Sequence, residues 1–84
     1  MPRYFFDLHD DITAIDEEGR ECPDLESAKI TAADEAREMI VAGVHAQGKL
    51  DLRHRIEVRD ETNTVVHTQY FEDVLLVLRQ GEPV

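Results

Sequence analysis

Asp7, His9, Asp10 and Asp11 are the densest group of ligand-type side chains in this chain. Carboxylate oxygens and an imidazole nitrogen are the donors that hold divalent cations such as Zn²⁺, Mn²⁺ or Ca²⁺. The spacing matches no calcium loop, which needs a turn glycine and a distal glutamate. On an extended strand Asp7 and His9 share a face and Asp10 does not. A charged turn closing a hairpin accounts for the same residues more simply. A metal-binding protein or small enzyme built on Asp7, His9, Asp10 and Asp11 is therefore the alternative reading. No metal, cofactor or catalytic residue is assigned.

Other chemistry has weaker support. A nucleophilic pair needs Cys22 beside His9, His45, His54 or His67, but Cys22 lies in an acidic segment, a poor setting for a thiolate. The four glycines are dispersed, so no phosphate-cradling loop is present. Carboxylates abound, yet a chain this short offers no evident cleft in which to desolvate them. Arg53, His54, Arg55 and Arg59 in "DLRHRIEVR" form the one basic patch. It suits a phosphate or an acidic partner, and equally local pairing across strands with Asp7 or Glu57.

Nineteen acidic residues stand against nine basic ones, a net charge of −10. That balance argues against nucleic acid and against an anionic membrane surface. The acids concentrate in the first 26 residues, a field that attracts a basic protein. One cysteine rules out an internal disulfide. The start lacks a signal-peptide pattern, and no apolar run approaches the roughly 20 residues needed to span a bilayer. A cytoplasmic, reduced setting is expected.

Eighty-four residues imply one domain, residues 1–84, with a single core. Tyr4 to His9 alternates as a strand, with Tyr4, Phe6 and Leu8 on one face and Phe5, Asp7 and His9 on the other. Asp10–Asp11 is a turn, Ile12 to Asp16 a weaker second strand, and "DEEGRECPD" an irregular connection. Asp24 is an N-cap for a helix to about Gln47, ended by Gly48. Its stripe runs Leu25, Ala28, Ala32, Ala36, Met39, Ile40 and Gly43. Arg55 to Arg59 and Val65 to Phe71 are strands joined by the turn "DETNT". Phe71 to Arg79 is expected as a short helix stopped by Gly81 and Pro83, with a fifth strand at "VLLVL" as the other reading. The fold class is α+β, in the order β-β-α-β-β-α. It is a mainly antiparallel four-stranded sheet with one long helix on one face and a short C-terminal helix.

Phe5 points away from that long helix. Five consecutive aliphatics, Val74 to Leu78, cannot share one side of a helix, which leaves Leu76 and Val77 outward. Burial of each is worth roughly 1.5–3 kcal/mol. Phe5, Leu76 and Val77 are therefore the expected partner-binding residues, and a homodimer the expected assembly.

The segments "MPRYFFDLHD", "DEEGRECPDLESA" and "IEVRDE", the last followed by "VVHTQYFEDVL", resemble an uncharacterised family of short bacterial proteins, a domain of unknown function. The resemblance spans nearly the whole chain. It implies a compact α+β domain and supplies no catalytic or binding residues. In that family a glycine is common in the turn occupied here by "DETNT", and a proline often precedes the residue matching Phe71. The reading is a non-enzymatic interaction or regulatory module that self-associates.

Overall fold

The computed structural model describes residues 1–81. The alternation in "RYFFDLH" gives β1, Arg3–His9, the strand around which the sheet is built. Two short strands follow, β2 (Thr13–Ala14) and β3 (Arg20–Glu21), and both pair antiparallel with β1. They lie along the same edge of β1, β3 opposite Arg3–Tyr4 and β2 opposite Leu8–His9. The long helix α1 covers Leu25–Gln47. It leads to β4 (Arg55–Arg59) and β5 (Val65–Tyr70). The sheet order is β2-β1-β4-β5, all antiparallel, with β3 off the end of β1.

α1 forms where the sequence caps it. The Asp24 carboxylate accepts the Ser27 amide at 2.8 Å, and Gly48, left-handed at φ 61°, donates its N–H to the Val44 carbonyl. The alanine stripe faces the sheet: Ala28, Ala32 and Ala36 are fully buried and Ile40 nearly so. They pack on Tyr4, Phe6, Ile56, Val58 and Phe71. Met39, expected in the same stripe, is exposed at its edge. Cys22 is a buried free cysteine in the core, and its N–H donates to the Pro2 carbonyl.

The β4–β5 hairpin closes through Asp60–Thr64. The Asp60 carboxylate accepts the amides of Thr62 and Thr64 and the Thr62 hydroxyl. Asn63 adopts the left-handed φ of 66° in this turn, which asparagine tolerates. A register shift follows between Val58 and Arg59, so Val66 has no opposite residue of its own. Thr68 and Tyr70 lie opposite Glu57 and Arg55, while His67 and Gln69 lie opposite Val58 and Ile56 on the helix side.

Three expectations need correction. The sheet has five strands, because Arg20–Glu21 pairs with β1 inside the connection expected to be irregular. The second strand is two residues long, because Asp16 breaks it: its carboxylate takes the Phe6 amide that a continuing strand would have paired. The C-terminal helix is a single 3₁₀ turn, Phe71–Asp73. There the Arg37 guanidinium on α1 takes the Val74 carbonyl at 2.9 Å, the acceptor an α-helix would have offered to the Leu78 amide. Pro83 lies outside the described residues.

Candidate functional site

The expected ligand group is engaged within the fold. Asp7 is 3% exposed. Its Oδ2 lies 2.5 Å from Arg59 Nε and its Oδ1 3.0 Å from Arg59 Nη2, a two-point pair between neighbouring strands. The Asp16 amide donates to Asp7 Oδ1 at 2.9 Å, and Arg59 Nη2 also donates to the Asp16 carbonyl at 3.0 Å. The Asp16 carboxylate accepts the amides of Phe6, Glu18 and Gly19. Burial alone would raise the pKa of Asp7, but the Arg59 guanidinium and the Asp16 amide outweigh it and hold the carboxyl below its usual range. Burial likewise opposes ionisation of Asp16, and its three backbone donors reverse that.

His9 does not turn toward Asp10 or Asp11. Its Nε2 stands 2.6 Å from Glu57 Oε1, off the direction of a good hydrogen bond. Asp10 accepts the Ile12 amide at 2.7 Å and shapes the turn. The four residues are not brought together. Among the described residues no group of three or more His, Cys, Asp or Glu is placed to hold a metal ion.

The basic patch is divided in the same manner. Arg59 pairs with Asp7 and places its guanidinium carbon 4.9 Å from the Phe5 ring centre. Arg53 makes a two-point pair with Asp51 at 2.9 and 2.7 Å, which holds the Asp51 carboxyl well below its usual range. His54 turns into the molecule, edge-on to Phe71, with Nε2 3.4 Å from Asp51 Oδ2.

That histidine helps line a cleft of about 230 Å³ between the end of α1, the Asp10–Asp11 turn and the loop before β4. Met39, Ile40, Gly43 and Phe71 form its apolar side, and Asp51 and His54 its polar side. The cleft was not visible in the sequence, because its walls come from residues some 10 to 70 positions along the chain. No serine, threonine or cysteine is among the residues that line it.

The partner-binding residues fall in two places. Phe5 sits on the open sheet face, half-buried beneath Arg59, in the row Phe5–Arg59–Val65. The tail leaves from the opposite end of the sheet, the row His9–Arg55–Tyr70. Val74 is buried in the core, Leu76 is 75% exposed and Val77 37%. Phe5 therefore does not join Leu76 and Val77 in one patch. Exposed Ile30, Val41, Val44, Tyr70 and Leu78 were not singled out in the sequence. Ile30 and Val41 could have been noticed as aliphatics falling outside the alanine stripe.

Among the described residues no helix is long and apolar enough to cross a membrane. No curated protein and no solved structure matches the chain. A family model does match residues 3–72, from the first residue of β1 into the 3₁₀ turn, so that every strand and α1 lie within it. The chain belongs to that family, a domain of unknown function (DUF6894).

Proposed function

We propose that the chain is a small cytoplasmic, non-enzymatic interaction module that acts by self-association. The exposure of the tail carries this reading: Leu76 and Leu78 stand 75% and 58% exposed beside Val77, with the buried Val74 anchoring the segment to α1. An exposed aliphatic run on so small a surface is the mark of a contact, because covering each side chain returns about 1.5–3 kcal/mol. The ionisable groups of the open sheet face, by contrast, are turned onto one another. Phe5 offers a separate contact on that face, its ring only partly covered by the guanidinium above it. A basic protein is the second kind of partner, favoured by the exposed Asp10, Asp11, Glu17, Glu18 and Glu21 along one edge.

Light scattering on the wild type and on a Leu76→Glu, Val77→Lys double variant tests this. A wild-type mass of twice the chain, halved in the variant, is expected. A wild type that stays monomeric at the highest attainable concentration overturns self-association.

A further inference from the structure

The two edges of the sheet differ in kind. The outer edge of β1 is closed: β2 and β3 occupy its ends, and the Asp16 carboxylate takes the Phe6 amide between them. At the other edge, β5 has only β4 as a strand partner among the described residues. β5 runs for six residues, "VVHTQY", without Asp, Glu, Lys, Arg or Pro, in a chain of net charge −10. Edge strands in soluble proteins are usually blunted by charge, proline or brevity, and β5 carries none of these.

Backbone alternation shows which groups face outward. Phe71 donates its N–H to the His54 carbonyl at 3.0 Å, toward the β4 side. Gln69 and His67 share that direction, so the N–H and C=O groups of Thr68 and Tyr70 point away from β4. The Gln69 side-chain amide meets the Tyr70 carbonyl at 3.2 Å.

We infer that β5 pairs antiparallel with β5 of a second copy of this chain, about a two-fold axis at Thr68, so that two sheets become one. The inference rests on the self-association proposed above and names its interface. The strand is complementary to itself in this register. Thr68 opposes Thr68 of the other copy and His67 opposes Gln69, while Val66, at the register shift and packed against the core, stands outside the regular ladder. Threonine pairs are favourable across strands, and no like charges meet. With the β1 edge closed, each copy has one free edge among the described residues, so the contact ends in a dimer and not a filament.

The helix layer carries exposed aliphatics of its own. Ile30, Arg37 and Val44 recur every seven residues, and Val41 is four beyond Arg37, so all four share one flank of α1. Arg37 bonds the Val74 carbonyl, and the other flank carries Glu35, paired with Arg20 of β3. Ile30 (64% exposed) and Val41 (66%) fall well round α1 from the buried alanine stripe, on its solvent side. Edge pairing alone buries too little for a stable dimer, so an interface through β5 must also cover side chains that flank the strand.

Thr68→Glu and Thr68→Lys, prepared separately, place like charges across the axis. Each is expected to scatter light as a monomer with an unchanged circular dichroism spectrum, and an equal mixture to regain the dimer mass. Both variants remaining dimeric overturns the β5 interface; if Leu76→Glu, Val77→Lys still dissociates, self-association stands and runs through the tail alone. A monomeric wild type overturns both. Should neither Thr68 variant fold, deuterium exchange on the wild type decides. Protection of the Thr68 and Tyr70 amides rising with concentration supports the interface. Concentration-independent exchange overturns it, leaving the edge open to solvent or to a strand of another protein.

Discussion

Asp7 is where the charge of this protein does structural duty. The residue lies on a face of β1 that the helix does not cover, yet it is buried, because Arg59 from β4 and the loop at Asp16 close over it. A buried carboxylate left without its cation is costly. Arg59→Ala should therefore lower stability by about 3 kcal/mol in chemical denaturation, and replacing both partners with apolar residues should cost less. The acid response follows from the same contacts. Asp7 and Asp16 both titrate below the usual carboxyl value of 3.8 in the folded chain. A depressed folded pKa stabilises above the unfolded value and loses that contribution as pH falls through the folded one. Stability should therefore hold down to about that value and fall below it; Asp7→Asn should flatten the fall, as read from denaturation midpoints across acid pH. In the sequence Asp7 is one acid among nine in the first 26 residues. Its partner is 52 residues away; the basic patch of β4 suggested a pairing across strands with Asp7 or Glu57, and the strand register selects Arg59 with Asp7.

At the scale of elements, α1, β1 and β4 were legible because local signals agree with the tertiary fold. Asp24 caps, alanines recur at helical spacing, Gly48 ends the helix, and Ile56 and Val58 alternate with charges. The edge beside β1 was not legible. There a two-residue strand, a carboxylate that substitutes for backbone pairing, and Gly19 together replace one continuous strand. Gly19 has φ 69°, and a Cβ there would stand 2.8 Å from the Tyr4 carbonyl oxygen. Gly19→Ala should accordingly destabilise by roughly 1–3 kcal/mol, measurable as a lower urea midpoint with an unchanged slope. The tail failed as a helix for a related reason: Arg37 competes for the Val74 carbonyl, a contact invisible at the level of hydrophobic spacing.

The whole molecule sets an excess of negative charge against an uncharged edge. Two copies each carrying −10 repel one another, and that repulsion is screened over about 10 Å at 0.1 M salt and about 3 Å at 1 M. A dimer joined through β5 should therefore tighten as salt is added, which sedimentation equilibrium would show as a falling dissociation constant. Contact between the acidic amino-terminal third and the Arg53–Arg55 patch of a second copy would weaken instead. Arg53 is already paired with Asp51 and Arg59 with Asp7, which reduces that patch to a fraction of its apparent charge.

The sequence by itself determined the α+β class, the capped helix with its alanine face, and the two central strands, because capping, periodicity and alternation are properties of neighbouring residues. The tertiary structure decided which acids are structural, that Phe5 and the tail occupy different ends of the sheet, and that one edge is closed while the other has a single strand neighbour among the described residues. Those outcomes depend on side chains meeting across strands and on the direction of backbone amides, and such contacts join residues that only folding brings within hydrogen-bond reach.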